Sequence, residues 1–485
     1  MIAVEFETVI GLEVHAQLLT RSKMYCRCSA SYAAAEPNTH VCPVCLGLPG
    51  ALPTINRQAV TYTVMTGLAL GCSIPAFSKL DRKNYIYPDL MKGYQISQYD
   101  HPFCVEGGLE FDSDSGRLRV GIRRVHLEED TARLVHRTRS GESYSLVDVN
   151  RSGVPLMEIV SEPDLHSPED ARQYLIVLRQ ILRYLGVSTG NMEEGAFRCD
   201  ANISQRSMDG SLAGAKVEIK NMNSFRSVER ALVFEVERQR AALLNGERIE
   251  QETRGWVDDQ GVTVSQRTKE YAHDYRYFPE PDLPPIFLGE EEVATIHGRM
   301  PELPAARRAR FAADYGLATA DAAVLTEERA VADYFEACLD GEPDRARTTA
   351  NWVTGEVFAL MRERGLGIDE VNIGPPQLRE LIDLVSAETI NTRTAKEVLV
   401  AVHETGDDPS GIVNERGLAQ VSDVARLRAV AEAVIAENPN AVADYRKGRR
   451  EAIGYLLGQV MRQMRGTANH AVARQLLEEV LTERT

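Results

Sequence analysis

The sequence has no uninterrupted apolar run long enough to cross a membrane, and its first residues, MIAVEFETVI, have no basic segment ahead of an apolar one. It also lacks GxxxxGKS/T and GxGxxG motifs, which excludes the two common glycine-rich loops that cradle nucleotide phosphates. Repeats and low-complexity tracts are absent as well. These absences predict a cytosolic protein that holds any nucleotide on a sheet and not in a P-loop.

The sequence also has no excess of basic over acidic residues. The chain has 71 acidic and 55 basic residues, a net charge of −16. This excludes a protein that binds nucleic acid or membranes over its whole surface, so an anionic partner needs a local basic patch. Hydrophobic residues make up 44% of the 485 positions, which excludes general disorder. The length predicts about three domains.

Four of the eight cysteines lie in one short loop, YCRCSASYAAAEPNTHVCPVCLG. Cys26 and Cys28 form a CxC pair, and Cys42 and Cys45 form a CxxC pair. Four thiolates satisfy tetrahedral zinc and leave no position for chemistry, so in a reducing cytosol this spacing predicts a structural zinc site. Free thiols or a lone redox CxxC pair are the alternative. The other cysteines are scattered singly: Cys72, Cys104, Cys199 and Cys338.

The stretch IGLEVHAQLL alternates apolar and ionisable residues with the period of a half-buried strand, and its polar side carries Glu13 and His15. Four further strand-like segments also have a polar, mostly charged side, formed by His126, Glu128, Glu129, Asp130, Glu158, Arg198, Asp200, Asn202, Lys216, Glu218 and Lys220. Short acids with histidine and asparagine are ligands for hard cations, and neighbouring carboxylates repel unless a cation lies between them. The pattern predicts a magnesium site on a sheet; an ordinary solvated face is the alternative.

The segment DRKNYIYPD alternates the cations Arg82 and Lys83 with the aromatic residues Tyr85 and Tyr87. Such a segment suits the edge of a phosphate or nucleotide site, because cations pair with phosphate and also pack on aromatic rings. A plain surface loop is an equally good interpretation of this segment alone.

Two composition changes predict the domain boundaries. Six of the 21 prolines fall between Pro279 and Pro304, and the later segment GDDPSG indicates a second linker near residue 408. Beyond the first boundary nearly every segment has helical periodicity. We therefore expect domains at 1–295, 296–408 and 409–485.

The last domain contains the one conspicuous basic cluster. Between residues 445 and 465 there are six arginine or lysine residues and one glutamate. Arg446, Lys447, Arg449 and Arg450 lie together and could neutralise several RNA phosphates. The alternative is an amphipathic helix with an exposed basic rim, whose apolar stripe is Ile453, Leu457, Val460 and Met464.

Eight motifs, in this order, resemble the GatB family of bacterial aspartyl/glutamyl-tRNA amidotransferase subunits: IGLEVHAQL, CPVCLGLPGALP, DRKNYIYPDLMKGYQISQ, HLEED, VDVNRSGVPLMEIVSEPD, MEEGAFRCDANIS, KNMNSF and DYRYFPEPDLPP. The tail, DYRKGRREAIGYLLGQVMR, is similar to the YqeY-type tRNA-binding module of that family. The resemblance covers essentially the whole chain. It implies an α+β fold, with a mainly antiparallel sheet cradle related to the catalytic fold of glutamine synthetase, then a helical domain and a helical tail.

The resemblance also implies a reaction. ATP phosphorylates the side-chain carboxylate of Glu misloaded on tRNA(Gln), or of Asp misloaded on tRNA(Asn), and ammonia then displaces the phosphate. The family's amidase subunit GatA releases the ammonia from glutamine, and the small subunit GatC bridges the two. A stand-alone ligase of free amino acids and a non-enzymatic RNA adaptor with a zinc knuckle are the alternatives.

By analogy with the family, the magnesium ligands are Glu13, His15, Glu129 and Glu158. Glu128, Glu194, Arg198 and Asp200 are expected in catalytic or supporting positions around them. Strand alternation instead favours Glu128 beside His126, and a β-bulge would be needed to turn Glu129 to the same side. His15 is an unusual magnesium ligand and could contact the ion through water.

Overall fold

A computed structural model describes residues 5–114, 116–211, 213–268, 275–420, 424–464 and 468–483. It divides into two compact units, residues 1–304 and residues 305–485. The first combines a large sheet with helices, whereas the second is helical throughout its described residues. The predicted α+β class, with a sheet-rich region followed by helices, is confirmed.

An eight-stranded sheet forms the centre of the first unit. Its strands in spatial order are β13 (Val262–Thr268), β12 (Glu252–Val257), β11 (Val217–Lys220), β10 (Phe197–Ser207), β1 (Phe6–Gln17), β9 (Pro155–Ser161), β6 (Gly116–Glu129) and β5 (Cys104–Ser113). Every neighbouring pair is antiparallel except β11 and β12. The sheet is therefore mainly antiparallel, as expected.

Smaller ribbons accompany this sheet. Their strands are β2 (Phe77–Ser78), β3 (Asp81–Asn84), β4 (Tyr94–Ser97), β7 (Arg133–Arg139), β8 (Glu142–Asp148), β14 (Phe278–Pro279) and β15 (Ile286–Phe287). They pair in the order β14–β3–β4, with β15 on β2 and β7 on β8. Strand β4 contacts β6, so this ribbon borders the large sheet.

Helices cover the apolar face of the large sheet. They are α1 (Arg57–Ala69), α2 (Pro168–Tyr184) and α3 (Phe225–Leu244), and a further helix, α4 (Glu290–His297), packs on α1. Helix α2 begins as its sequence predicts, because the Ser167 hydroxyl accepts a hydrogen bond from the backbone of Asp170 and Pro168 is its first residue. Its leucines pack in one core with Leu12 and Val14 of β1. Residues that alternate with these two therefore lie on the opposite, polar face.

The second unit consists of α5 (Pro304–Tyr315), α6 (Thr319–Leu325), α7 (Arg329–Leu339), α8 (Ala346–Trp352), α9 (Phe358–Arg364), α10 (Pro375–Ser386), α11 (Thr392–Thr405), α12 (Pro409–Glu415), α13 (Val424–Glu437), α14 (Pro439–Arg446), α15 (Ala452–Gln463) and α16 (His470–Glu483). Short 3-10 turns lie at Pro343–Arg345 and Ile368–Glu370, and a π-helical segment at Val353–Val357 joins α8 to α9.

Two separate apolar cores stabilise these helices, one within residues 311–413 and one within 427–481. The division of the helical part near residue 408 stays a prediction. Within the described ranges, no helix has the length and apolar character needed to cross a membrane.

Candidate active site and metal centre

Three ionisable side chains lie side by side on three adjacent strands of the large sheet. His15 is paired with Glu158 between β1 and β9, and His126 is paired with the same Glu158 between β6 and β9. The Nε2 atoms of His15 and His126 lie 3.3 Å and 3.4 Å from Glu158 Oε2. Directly opposed residues of antiparallel strands project from the same face, which brings the three together.

Glu128 completes this group from the next position of β6 on the same side as His126. Its Oε1 lies 3.6 Å from His15 Nε2, and its Oε2 accepts a hydrogen bond of 3.2 Å from the Ser97 hydroxyl of β4. One ligand atom from each of His15, Glu128 and Glu158 lies within 4.8 Å of the others. These three residues with His126 are called the His–Glu cluster below. Two carboxylates and an imidazole at this spacing can hold a divalent metal ion.

Burial and mutual charge set the ionisation of the cluster. Burial by itself raises the pKa of Glu158, but His126 and His15 hold that pKa well below its usual value. Burial likewise favours a lower pKa for His15, but Glu158 and Glu128 raise it above the ordinary value. The Glu158 carboxylate is therefore kept ionised, as a metal ligand must be.

Glu13 and Asp200 form a second polar group on the same face. They are paired across β1 and β10. Asn202 Nδ2 donates a hydrogen bond of 2.8 Å to Glu13 Oε1, and Lys220 forms an ion pair with Asp200. The structure thus places Glu13, an expected magnesium ligand, outside the His–Glu cluster, with its carboxylate hydrogen-bonded to Asn202.

Arg198 and Glu194, both expected near the metal, take different positions. Arg198 is paired with His15 between β10 and β1, and its Nη2 lies 3.2 Å from Asp130 Oδ1. Asp130 is buried and also accepts a hydrogen bond of 2.7 Å from Gln17 Nε2, so the carboxylate that holds Arg198 is itself fixed. Glu194 lies in an exposed turn before β10.

Glu129, expected as a magnesium ligand, points to the opposite face of β6 from Glu128. The register of the β6–β9 ladder shifts between Ile122 and Arg124, ahead of the cluster, so alternation is regular through Glu129. Its buried Oε1 accepts hydrogen bonds from Lys92 Nζ at 2.6 Å and from the Ile96 amide at 3.0 Å. Because no bulge turns it inward, Glu128 and not Glu129 joins the His–Glu cluster.

Arg82, Lys83 and Tyr85, expected at the edge of a phosphate site, have different surroundings. Arg82 donates two hydrogen bonds, of 2.7 and 2.8 Å, to the buried carboxylate of Glu280 and is thereby committed to a structural ion pair. Lys83 Nζ instead lies over two rings, 5.6 Å from the centroid of Tyr85 and 5.2 Å from that of Tyr275. Arg82 also lies over rings, 4.4 Å from the centroid of Tyr94, so both cations pack on aromatic residues and they differ in the carboxylate pair that Arg82 makes.

The four clustered cysteines meet in the loop that follows β1. One Sγ atom from each of Cys26, Cys28, Cys42 and Cys45 lies within 4.8 Å of the others. A hydrogen bond from Cys26 lowers the pKa of Cys45 to about 4, against the opposing effect of burial. Burial raises the pKa of Cys28 to about 11. Four sulfur donors at this spacing suit a tetrahedral metal ion, which would ionise the remaining thiols.

A buried lysine lies beside these cysteines. Lys23 is 0% exposed, and its Nζ donates hydrogen bonds to the backbone oxygens of His40 at 2.8 Å and of Val149 at 3.3 Å. Its charge contributes to the lowered pKa of Cys45. A buried ammonium requires a nearby negative charge, and a metal bound by four thiolates carries one. The surroundings of the cysteines therefore fit a metal–tetrathiolate group.

The basic cluster at residues 446–450 lies between two helices. Arg446 ends α14, and Lys447, Arg449 and Arg450 follow before α15, with all four side chains exposed. The apolar stripe of α15 is buried against its neighbours, in agreement with its helical pattern. The basic side chains thus lie outside the core and can face an anionic partner.

Comparison with known proteins decides the family. Residues 8–294 match the GatB/GatE catalytic domain, and residues 333–481 match the GatB domain. The chain belongs to the GatB family. The predicted resemblance is confirmed.

GatB relatives align along nearly the whole chain. A protein of Thermomicrobium roseum is 72% identical over 99% of both chains, and one of Dehalococcoides mccartyi strain CBDB1 is 55% identical over 99% of both. A protein of Roseiflexus sp. strain RS-1 is 52% identical over 98% of both. Each of these relatives is named as the B subunit of aspartyl/glutamyl-tRNA(Asn/Gln) amidotransferase.

Three residues of this GatB chain that are not among the expected site residues have defined roles in the structure. His126 is paired directly with Glu158, Asp130 holds Arg198, and Lys23 lies beside the cysteines. His126 and Asp130 are visible in the sequence as polar residues near β6, and strict alternation signals the inward position of His126. Nothing in the sequence distinguishes Lys23 from a surface lysine.

Proposed function

We propose that this chain is the phosphorylating and amidating subunit of an aminoacyl-tRNA amidotransferase. It transfers the γ-phosphoryl group of ATP to the side-chain carboxylate of Glu on tRNA(Gln) or Asp on tRNA(Asn). Ammonia then attacks the activated carbonyl carbon, the amide bond forms, and phosphate leaves. Membership of the GatB family supports this reaction, and a reaction on aminoacyl-tRNA belongs in the cytoplasm.

The observation that carries the proposal is the gathering of His15, Glu128 and Glu158 on the polar face of the sheet. Phosphoryl transfer needs positive charge at the transferred group, because negative charge spreads over its oxygens in the transition state. A divalent ion such as Mg²⁺, held by these residues, would supply that charge. The two carboxylates would hold the ion, with His15 beside them directly or through water.

Lys83 and Arg198 are the cations best placed to assist. Burial alone would lower the pKa of Lys83, but Glu128 foremost, with Glu158, raises it, so the side chain keeps its charge next to the cluster. Arg198 neighbours His15 and is anchored by Asp130. Both can stabilise phosphate oxygens or the substrate carboxylate without leaving their positions.

The cysteine loop contributes structure and not chemistry in this proposal. Zinc bound by Cys26, Cys28, Cys42 and Cys45 would have no open position for a substrate. The loop packs on the sheet beside the buried Lys23, so the metal would hold a segment with little regular structure in place.

Ammonia comes from a partner subunit. The cysteines outside the loop, Cys72, Cys104, Cys199 and Cys338, are all buried, so none is an accessible nucleophile for releasing ammonia from glutamine. An amidase subunit of the GatA type, bridged by a small GatC-type subunit, would supply it. The exposed basic cluster at residues 446–450 would contact the tRNA backbone.

The test is transfer of labelled γ-phosphate from ATP to misacylated tRNA by the assembled complex, with ammonium chloride as nitrogen donor so that glutamine hydrolysis is bypassed. Glu158→Gln should lower the rate at least about a hundredfold. The matched control is Glu162→Gln, which removes a half-exposed carboxylate paired with Arg123 just after β9 and should leave the rate within about twofold. A native rate in Glu158→Gln would overturn the proposal.

A further inference from the structure

Five tyrosines form a continuous group of rings, called here the tyrosine cluster: Tyr85, Tyr87, Tyr99, Tyr275 and Tyr277. Tyr99 and Tyr277 stack with centroids 4.5 Å apart and planes 11° from parallel. Edge contacts of 5.7 to 6.1 Å join Tyr277 to Tyr275, Tyr275 to Tyr85, and Tyr85 to Tyr87. Such a run of rings provides several aromatic faces within one small area.

The tyrosine cluster adjoins the His–Glu cluster. The Tyr85 hydroxyl donates a hydrogen bond of 3.1 Å to Gln95 Oε1, and Gln95 Nε2 donates one of 2.6 Å to the backbone oxygen of Glu129. Glu129 directly follows Glu128, whose carboxylate accepts from Ser97 on the same strand as Gln95. Strand β4 therefore connects the rings to the carboxylates of the His–Glu cluster.

The apolar core does not account for these rings. None of the five belongs to the apolar core of the first unit. Tyr87 and Tyr99 are each 45% exposed, and Ile86, which lies between Tyr85 and Tyr87 in the sequence, is 92% exposed. Burial raises the pKa of Tyr277 to about 12, so its phenol remains a neutral donor beside the carboxylates. The cluster thus offers uncharged aromatic surface to a ligand at the edge of the site.

We propose that the tyrosine cluster binds the adenine base of a substrate adenosine by stacking, chiefly on Tyr87 and Tyr99. This rests on the proposed function and deepens it. The carboxylate to be phosphorylated belongs to an amino acid esterified to the terminal adenosine of tRNA, so that base lies one amino acid away from the reaction. ATP brings a second adenine to the same site. Aromatic side chains are the usual platform for unpaired bases.

The experiment measures binding without turnover. Misacylated tRNA with 2-aminopurine in place of the terminal adenine is titrated with the assembled complex, and quenching of fluorescence reports stacking. Tyr99→Leu and Tyr87→Leu should each weaken binding about tenfold and reduce the quenching, whereas Tyr99→Phe and Tyr87→Phe, which keep the ring, should stay within about twofold. The KM for ATP is measured in parallel for each variant.

The two measurements, tRNA binding and the KM for ATP, show which adenine the tyrosine cluster binds. Weaker tRNA binding with an unchanged KM for ATP assigns the cluster to the terminal adenosine, and the reverse pattern assigns it to ATP. If neither leucine variant alters either quantity, the proposal is overturned. Failure of the proposed function is distinguishable, because it would appear as a native phosphorylation rate in Glu158→Gln and would leave the stacking measurement unaffected.

Discussion

Glu128 and Glu129 are consecutive in sequence but their carboxylates lie on opposite faces of one strand. Glu128 is 3.6 Å from His15, whereas Glu129 is bonded to Lys92 and to the backbone of β4. Their neighbours differ in kind as well. One carboxylate faces ionisable side chains of the site, and the other forms an ion pair with the partly exposed Lys92.

This difference predicts distinct phenotypes for two neighbouring substitutions. Glu128→Gln should lower the rate of phosphorylation about a hundredfold or more while unfolding at the same urea concentration as the native chain. Glu129→Gln should destabilise the chain by about 3 kcal/mol, because Lys92 loses its buried partner, and should keep more of the activity per folded molecule. Labelled phosphate transfer and urea denaturation measure the two effects. Equal losses of rate would contradict the assignment.

Lys23 should raise the affinity of the cysteine loop for zinc. Lys23→Met removes the positive charge beside four thiolates and should weaken zinc binding about tenfold or more, as changes next to metal ligands commonly do. Competition with a chromophoric chelator measures the affinity directly. Arg27→Met is the control, because Arg27 lies between two of the cysteines but is exposed, where water screens its charge. An equal effect of both substitutions would contradict the role of burial.

Glu336 should make the stability of the helical unit depend on pH. Burial opposes ionisation, but Arg310, Tyr315 and Arg307 lower the pKa of Glu336 to about 2. Since this pKa lies below the unfolded value of 4.5, its stabilisation is complete above about pH 4.5 and is lost as the pH falls toward 2.

Glu336→Gln should accordingly cost about 2 kcal/mol of unfolding free energy at pH 7, and the difference from the native chain should shrink toward pH 3. Urea denaturation at several pH values measures it. Glu404→Gln, which removes a 55% exposed partner of Arg364, should change the free energy by less than about 0.5 kcal/mol. A pH-independent cost of Glu336→Gln would rule out the ionic explanation.

The exposed basic cluster should govern the salt dependence of tRNA binding. Replacing Arg449 and Arg450 together by Glu should weaken binding at least tenfold and lower the slope of log affinity against log salt by roughly 1 to 2. Phosphorylation at saturating tRNA should stay near the native rate. Arg393→Glu, at a 92% exposed position of α11, serves as control. An unchanged slope would show that these arginines do not contact phosphates.

Part of the site follows from local rules, whereas Glu13 and Glu129 as magnesium ligands are expected only by analogy with the family. Strand alternation places Glu128 beside His126, and the structure has both side chains on the same face of β6. The expectation for Glu129 comes from the family and needs a bulge that β6 has only upstream. Glu13 shares the polar face with His15, but sequence cannot show that Asn202 takes up its carboxylate.

The other features of the site depend on contacts between residues that are far apart in the sequence. The pairing of His126 with Glu158 depends on the order of strands in the sheet, which period-two patterns do not specify. The buried ammonium of Lys23 donates to the backbone oxygens of His40 and Val149, and Val149 is distant in the sequence. The cysteine spacing, by contrast, is a local signal, and the four sulfur atoms do meet.

The order of strands also has a consequence for synthesis on the ribosome. In the large sheet, strand β1 lies between β9 and β10, which are translated long after it. Until they emerge, the growing polypeptide carries a strand with one apolar side and two open edges, a state prone to wrong pairing or aggregation. We expect nascent chains that stop short of Phe197 to require chaperones, and protection of β1 from proteases to arise only once β10 has left the exit tunnel.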